Sequence, residues 1–279
     1  MTLPPLNIHQ LLKAYHLRPK KKLGQNFLID PNALERIINA AQIEPQDTVL
    51  EIGAGLGSLT RLLSLRAKHV TAVEIDHALI PILEDVLNPY NNVDLIQGDI
   101  LDLDPAAVIH QAEYIVVANI PYYITSALLR HLLEASLKPK RLVLTVQREV
   151  AERICVKSGK MSLLALSVHL YGEAQIKAKI PAGCFYPVPA VDSNVLSIEL
   201  FHEPQIPLSD LELFFDLAHA GFNQKRKTLR NALTSRFSYS ADETAALIRQ
   251  ANIDPQRRAE TLSLEEWHYL TKVYQKNLA

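Results

Sequence analysis

The stretch Thr48-Val-Leu-Glu-Ile-Gly-Ala-Gly-Leu-Gly57 decides the fold of this chain of 279 residues. Its first five residues predict a buried strand, and glycines follow at positions 53, 55 and 57. The chain contains only nine glycines, so three of them within five positions indicate a specialised turn. Glycine tolerates positive φ and lets a ligand approach the backbone, because it has no Cβ. A strand followed by such a loop and then a helix predicts the start of a nucleotide-binding α/β fold.

The alternation of strand and helix continues after that loop. Further apolar strands are predicted over residues 69–75, 93–97, 114–118 and 141–147. Amphipathic helices separate them, which is typical of a parallel sheet with helices on both faces. Two late strands, 174–180 and 194–201, are expected to add antiparallel strands at the late edge of the sheet. The predicted fold class is therefore α/β, with a Rossmann-like, mostly parallel sheet.

The character of the chain changes near residue 203. The Glu203-Pro-Gln-Ile-Pro207 segment reads as a linker, and only helices are predicted after it. We therefore expect a first domain over 1–203, including an N-terminal extension, and a small all-α domain over 204–279. One helix of that second domain is predicted over 224–236. In the first domain, Asp30 is expected to cap a helix that begins at Pro31.

Charges are strongly segregated although the net charge is only −1. Residues 44–118 contain twelve acidic and three basic residues, whereas residues 138–160 contain seven basic and two acidic residues. Further basic clusters lie at 18–22 and 225–230, which favours a polyanionic partner such as a nucleic acid. No apolar run is long enough to span a membrane, and the two cysteines form no metal-binding motif. We expect a cytoplasmic protein.

The glycine loop does not match the dinucleotide fingerprint G-x-G-x-x-G, because Ser58 stands where that fingerprint requires glycine. Its pattern is E-x-G-x-G-x-G, and the carboxylate of Glu51 suits a ligand that carries a cationic group, such as S-adenosylmethionine. Glu74 ends the second strand and is expected to accept hydrogen bonds from ribose hydroxyls. Asp99 follows the third strand and is expected to accept from an adenine amino group. Acids at the ends of successive strands indicate one shared nucleoside site.

The tetrapeptide Asn119-Ile-Pro-Tyr122 follows the fourth strand of this series. The exocyclic amino nitrogen of a nucleobase is a poor nucleophile, because its lone pair is delocalised into the ring. The Asn119 side-chain oxygen and the Ile120 carbonyl oxygen are placed to accept the two amino hydrogens. Pro121 is expected to stiffen the turn, and Tyr122 to offer a face on which the base stacks. This turn predicts methyl transfer to an amino nitrogen.

These motifs resemble those of the class I methyltransferases that act on amino nitrogens. Three further segments are similar to the ribosomal RNA adenine dimethyltransferases: Gly24-Gln-Asn-Phe-Leu28, Phe185-Tyr-Pro-Val-Pro-Ala-Val-Asp-Ser193 and Phe222-Asn-Gln-Lys-Arg-Lys-Thr-Leu-Arg-Asn231. The resemblance extends from about Lys22 to the C-terminus and is greatest to the small-subunit enzymes of the family. It implies N6,N6-dimethylation of two adjacent adenosines near the 3′ end of 16S rRNA, with a role in 30S subunit biogenesis.

The resemblance also implies a role for each matching residue. The catalytic residues would be Asn119, Pro121, Tyr122 and Phe185, with Phe185 as the second wall of the base pocket. The residues that bind S-adenosylmethionine would be Asn26, Leu28, Glu51, Gly53, Gly55, Glu74, Asp99 and Asn119. No metal is implied, because a neutral leaving group departs from a sulfonium. The helical domain would bind RNA within the 30S subunit or its precursor, and the protein would act as a monomer away from membranes.

Other functions stay open from the sequence alone. The large-subunit adenine methyltransferases that confer macrolide resistance share the catalytic half. An RNA-binding assembly factor without activity is a second alternative, although Glu51, Glu74, Asp99 and Asn119 argue against it. A nicotinamide dehydrogenase is disfavoured by Ser58 and by the Asn-Ile-Pro-Tyr turn, and a DNA amino methyltransferase by the lack of a separate target-recognition domain.

Overall fold

A computed structural model describes residues 3–109, 111 and 113–278 of the chain. Its strands are β1 (Phe27–Leu28), β2 (Thr48–Ile52), β3 (His69–Glu74), β4 (Val93–Gln97), β5 (Ile115–Asn119), β6 (Arg141–Gln147), β7 (Gly172–Ile180), β8 (Phe185–Tyr186) and β9 (Ser193–Leu200). Its α-helices are α1 (Ile8–Ala14), α2 (Pro31–Ala41), α3 (Ser58–Ser64), α4 (Ile80–Leu87), α5 (Pro105–Val108), α6 (Thr125–Glu134), α7 (Arg148–Ile154), α8 (Leu163–Tyr171), α9 (Leu211–Asn223), α10 (Leu229–Thr234), α11 (Ala241–Gln250) and α12 (Leu264–Leu278).

Seven strands form one sheet in the order β4-β3-β2-β5-β6-β9-β7. The pairs β3–β4, β2–β3, β2–β5 and β5–β6 are parallel, and β9 is antiparallel to β6. The predicted fold class is confirmed. The chain order reverses between β2 and β5, and ligands of open α/β sheets bind at the carboxyl ends of strands beside such a reversal.

Burial explains why the central strands are apolar throughout. All five residues of β2 are buried, and because successive side chains of a strand point to opposite faces, both faces of β2 are covered. One buried cluster joins Ile37 of α2 and Leu63 of α3 to Val49 and Val117 of the sheet. A second buried cluster joins residues of α1 and α4 to Phe27 of β1.

A separate two-stranded ribbon joins distant parts of the chain. β1 pairs with β8 in antiparallel register, with Phe27 opposite Tyr186 and Leu28 opposite Phe185. The Ile29 amide extends the ribbon by donating to the Cys184 carbonyl oxygen at 2.9 Å. Both segments were expected from family resemblance to border the site, and this pairing fixes their backbones to each other.

Contacts divide the chain into two compact units. The first is Met1–Ala151 with Ala174–Leu200, and the second is Glu152–Glu173 with Phe201–Ala279. Residues 152–173 therefore group with the C-terminal helices, whereas the sequence predicted a single boundary after 203. Within the second unit, the rings of Phe222 and Trp267 pack with centroids 5.8 Å apart.

The helix predicted over 224–236 is wrong. α9 continues to Asn223, and α10 begins only at Leu229, where the Thr228 hydroxyl accepts from the Asn231 amide as the N-cap. Lys225 and Arg226 therefore lie in a turn and do not share a helix with Arg230. Across the described ranges, we find no helix long and apolar enough to cross a lipid bilayer.

Candidate active site

A cleft opens at the carboxyl ends of β2, β3 and β5, within the first unit. It is lined by ten of the residues predicted from the sequence: Asn26, Leu28, Glu51, Gly53, Gly55, Glu74, Asn119, Pro121, Tyr122 and Phe185. These residues come from five separated segments of the chain. The topology therefore brings together almost the whole predicted site.

The glycine loop forms the floor of the cleft. Gly53 has a φ of +77°, and its amide donates to the Val73 carbonyl oxygen at 2.8 Å. A Cβ built on Gly53 meets only the Asn119 carbonyl oxygen, at 3.5 Å. The space above this residue is thus open on the cleft side, as expected of a backbone against which a ligand lies.

Glu51 lies beneath this loop with only 1% of its surface exposed. Burial raises the pKa of its carboxyl group to about 8, with a smaller lowering by the Thr60 hydroxyl and a further rise from the neighbouring Glu74. Its Oε2 atom has no hydrogen-bond partner among the described residues. A buried carboxyl with an unused oxygen is costly in a folded protein, and a cationic ligand would stabilise its ionised form.

Glu74 links the glycine loop to the end of β3. Its Oε2 accepts from the Gly55 amide at 2.8 Å, and its Oε1 accepts from the Asp76 amide at 2.9 Å. Each carboxylate oxygen has a second lone pair available for a ligand hydroxyl. Burial is the main cause of the raised pKa of Glu74. The adjacent Ile75 lines the cleft and is 45% exposed, which gives a nucleoside an apolar surface beside the carboxylate.

Asn119 ends β5 and contacts the N-terminal segment. Its Nδ2 donates to the Asn26 carbonyl oxygen at 3.2 Å, and Asn26 Nδ2 donates to the Gly24 carbonyl oxygen at 3.0 Å. The first bond identifies which end of the Asn119 amide is nitrogen. The amide oxygen is thereby left for a ligand, and it is the atom that the proposed chemistry requires.

Tyr122 follows in a short 3-10 turn after Pro121. Its hydroxyl is 2.9 Å from the Ser193 Oγ atom, so the ring is held at its outer end. Burial is the main cause of the raised pKa of Tyr122. At the start of the turn, Gly24 packs closely against Pro121, since a Cβ built on Gly24 would lie 2.9 Å from the Pro121 Cβ. The turn is therefore fixed by contacts at both ends.

Phe185 contributes to the cleft mainly as a buried residue. It is paired with Leu28 in the β1–β8 ribbon, packs in the core cluster of α2 and α3, and is only 2% exposed. A stacking wall needs an open ring face, and the described conformation offers little of it at Phe185. Its role as a second wall stays a prediction.

Asp99 is not among the residues that line the cleft. Its Oδ1 accepts from the Leu101 amide at 3.0 Å, so the carboxylate caps the turn that follows β4. This is the ordinary local role of an acid after a strand. Contact between Asp99 and adenine stays a prediction.

The sequence reasoning missed several residues of the site, of which three matter for the argument below. Phe27 and Ile75 line the cleft, and Asp76 joins Glu74 to the N-terminal segment. The position of Ile75, directly after the strand-ending acid, was a usable signal. Nothing local distinguishes Asp76, because its two long-range partners are Lys20 and Gln25.

The cleft fits a cationic nucleoside cofactor such as S-adenosylmethionine. The unpartnered oxygen of Glu51 suits a positive charge, the open space at Gly53 suits close approach to the backbone, and Glu74 suits a ribose. In the described part of the chain there is no group of three or more His, Cys, Asp or Glu side chains that could hold a metal ion.

Comparisons with known proteins agree with this geometry. A family model described as ribosomal RNA adenine dimethylase matches residues 16–276. A ribosomal RNA small subunit methyltransferase A of Dehalococcoides mccartyi is 45% identical over 273 residues, which cover 96% of this chain and 92% of that protein. The crystal structure of a dimethyladenosine transferase from Plasmodium falciparum is similar with a TM-score of 0.76 and 26% identity, over 90% of this chain and 98% of that one. The crystal structure of the 23S rRNA methyltransferase ErmE is similar with a TM-score of 0.72 and 28% identity, over 90% of this chain and 100% of that one.

Proposed function

The chain belongs to the ribosomal RNA adenine dimethylase family, and from this premise we propose that it dimethylates the N6 atoms of two adjacent adenosines near the 3′ end of 16S rRNA. The methyl donor is S-adenosylmethionine, and the modification accompanies 30S subunit biogenesis. One observation carries the proposal: the Asn119 amide, with its nitrogen bonded to Asn26, lies in the same cleft as the glycine loop and Glu51.

Asn119 and Ile120 prepare the acceptor amine. The Asn119 side-chain oxygen and the Ile120 carbonyl oxygen accept the two amino hydrogens, so the nitrogen lone pair turns out of conjugation with the ring. Because Asn26 holds the amide nitrogen, the oxygen of Asn119 is oriented before the substrate arrives. Such preorganisation is the usual source of rate enhancement by fixed dipoles.

Tyr122 positions the base. RNA is read most readily at unstacked bases, which aromatic side chains receive by stacking. The hydrogen bond between Tyr122 and Ser193 holds the outer end of the ring in place. Pro121 is proposed to fix the turn between the amine acceptors and this stacking surface, and Phe185 to form the second wall of the base pocket.

The remaining site residues hold the cofactor. Glu51 and Gly53 would take its methionine part, Glu74 its ribose, and Asn26 and Leu28 would border it from the N-terminal segment. Gly55 would keep the loop open, and Asp99 would accept from the adenine. When bound, S-adenosylmethionine supplies a methyl group on a positively charged sulfur, and no metal is needed because the departing thioether is neutral.

Transfer of labelled methyl groups tests the proposal. Purified 30S and 50S particles that lack the modification are incubated with the protein and the labelled cofactor, and the rRNA is analysed for N6,N6-dimethyladenosine. We expect label in two adjacent adenosines of 16S rRNA, and strongly reduced label with Asn119→Ala. Label confined to 23S rRNA would instead support a large-subunit methyltransferase, the activity named for the structural neighbour ErmE.

The second unit is proposed to bind the RNA, in keeping with a helical RNA-binding domain over 204–279. Lys225, Arg226 and Lys227 are exposed in the turn between α9 and α10, and basic side chains that neutralise phosphates make binding depend steeply on salt. Charge reversal at Arg226 and Arg230 should weaken binding to 30S particles and flatten its salt dependence. Unchanged affinity would remove these residues from the interface.

We further propose that the protein acts as a monomer in the cytoplasm, without a membrane partner. A single chain supplies every residue assigned above to the cofactor and the amine. Sedimentation of the protein with and without cofactor tests the first point, because a dimer would double the measured mass.

A further inference from the structure

The N-terminal segment 20–28 is attached to the site at several points. Asn26 accepts from Asn119, and Leu28 pairs with Phe185. At the start of the segment, Lys20 Nζ lies 2.6 Å from Asp76 Oδ1, and Gln25 Nε2 donates to Asp76 Oδ2 at 2.7 Å. Lys20 and Gln25 are themselves joined, since the Lys20 amide donates to Gln25 Oε1 at 2.8 Å. Both oxygens of one carboxylate are thus used to hold this segment.

Asp76 is placed differently from a surface ion-pair partner. Only 3% of the residue is exposed, whereas the Lys20 side chain is 42% exposed, so solvent screens this ion pair from the lysine side only. Burial raises the pKa of the Asp76 carboxyl, but the bonds from Lys20, Gln25 and the Ala78 amide together lower it by more, so the net pKa lies below the ordinary value. The carboxylate is therefore ionised while the segment is in place.

The backbone of Asp76 also contacts Glu74, a residue that lines the cofactor cleft. Its amide donates to Glu74 Oε1, and Glu74 Oε2 accepts from Gly55. A continuous series of bonds therefore runs from Lys20 and Gln25 through Asp76 and Glu74 to the glycine loop. The same segment reaches Asn119 through Asn26, the residue directly after Gln25.

We propose that Lys20, Gln25 and Asp76 form a latch that holds residues 20–28 over the cofactor cleft and keeps the Asn119 amide oriented through the Asn26 carbonyl. Asp76 is then a positioning residue of the methyl transfer, since it acts through the segment and through Glu74 without contacting the amine. This inference rests on the proposed function. It gives Lys20 a structural role inside the protein. The sequence alone places Lys20 in the basic cluster 18–22, which favours a polyanionic partner.

The test uses Lys20→Met, which removes the cation and keeps the apolar stem, with Lys21→Met as a matched control. Lys21 is the exposed neighbour of Lys20 in sequence and forms no ion pair with any described side chain. Affinity for S-adenosylmethionine is measured by calorimetry, and amide hydrogen exchange is followed over 20–28. Lys20→Met should weaken cofactor binding about 5- to 20-fold and speed exchange in the segment, whereas Lys21→Met should leave both unchanged.

Further variants separate positioning from folding. Lys20→Arg should restore cofactor affinity, because it keeps the cation. Asp76→Asn should weaken binding at least as much as Lys20→Met does, because Asp76 also accepts from Gln25. The double variant should bind the cofactor no more weakly than Asp76→Asn alone. With cofactor saturating, Lys20→Met should still lower kcat on 30S particles, since the Asn119 amide loses its support.

The latch is refuted if Lys20→Met binds the cofactor and exchanges hydrogen like the wild-type protein. It is also refuted if Lys21→Met weakens cofactor binding equally, which would indicate a general charge effect. Failure of the proposed function has a different signature, because the wild-type protein itself would then transfer no methyl groups to 30S particles.

Discussion

The side-chain nitrogen of Asn119 donates a hydrogen bond to the backbone carbonyl oxygen of Asn26, 93 positions away in the chain, at 3.2 Å. A residue at the end of a central strand is thereby oriented by a segment outside the main sheet. The bond has a chemical consequence, because it commits the nitrogen of the amide and leaves the oxygen for the substrate.

Replacement of Asn119 tests that consequence. Asn119→Ala removes the acceptor, and we expect kcat on 30S particles to fall about 100- to 1,000-fold, as for the loss of other preorganised dipoles. Asn119→Asp keeps an acceptor oxygen but places a carboxylate against the Asn26 carbonyl, so it should also be severely impaired. Single-turnover kinetics with saturating cofactor measure both. Near-normal activity of Asn119→Asp would show that the bond to Asn26 is not needed.

Two substitutions distinguish the contribution of the Tyr122 hydroxyl from that of its ring. Tyr122→Phe keeps the stacking face and loses the bond to Ser193, so we expect about 1 kcal/mol lower stability and an activity loss of less than about 10-fold. Tyr122→Ala also loses the face, at a cost of about 1–3 kcal/mol in base stacking.

Ser193→Ala is the control for Tyr122. If the hydrogen bond explains the effect of Tyr122→Phe, the double variant Tyr122→Phe/Ser193→Ala should be no worse than either single variant in activity or in urea unfolding. Additive losses would show that the two side chains act independently.

Gly53 and Gly159 form a matched pair for testing the cofactor cradle. Their φ angles are +77° and +81°, so alanine at either position is strained by a similar amount, about 1–2 kcal/mol. A Cβ at Gly159 meets nothing within 4 Å, whereas one at Gly53 lies in the cleft. Gly53→Ala should weaken cofactor binding at least about 10-fold, and Gly159→Ala should lower stability alone. Calorimetry and thermal unfolding measure the two effects, and equal cofactor affinity would contradict the assignment.

The regular part of the fold follows from local sequence patterns. β2 spans the predicted residues Thr48–Ile52, and α2 begins at Pro31 with Asp30 as its cap, as predicted. Both predictions succeeded because an apolar run and a capping side chain can be recognised within a few residues of sequence. The prediction of one helix over 224–236 was wrong because the sequence there is polar and contains no helix-breaking residue that would signal an interruption. The structure nevertheless starts a new helix after Thr228, which caps it.

The contacts that complete the site are not local. β1 and β8 have two residues each, too few for a period, and they are strands only because they pair with each other. Asp76 looks like an ordinary cap of the following turn, which it also is, since its Oδ1 accepts from the Ala78 amide. Its partners Lys20 and Gln25 lie more than 50 positions earlier, and no single-sequence pattern relates them.

Glu51 should make both stability and cofactor binding depend on pH. Burial raises the pKa of its carboxyl from the ordinary 4.5 to about 8 in the folded protein. Between these two values the folded state keeps a proton that the unfolded state has lost. The free energy of unfolding therefore falls as pH rises from about 4.5 to about 8, by at most about 1.4 kcal/mol per pH unit from this group.

Glu51→Gln cannot ionise, so urea unfolding without cofactor should lack this part of the pH slope, and the variant should be the more stable protein above about pH 8. A cationic ligand reverses the preference of Glu51, because it favours the carboxylate. Cofactor binding at pH 7 should therefore release a proton from the wild-type protein, and affinity should rise with pH up to about 8. Calorimetry in buffers of different ionisation enthalpy counts that proton. Equal proton release by the wild-type protein and Glu51→Gln would show that Glu51 does not face the cofactor's charge.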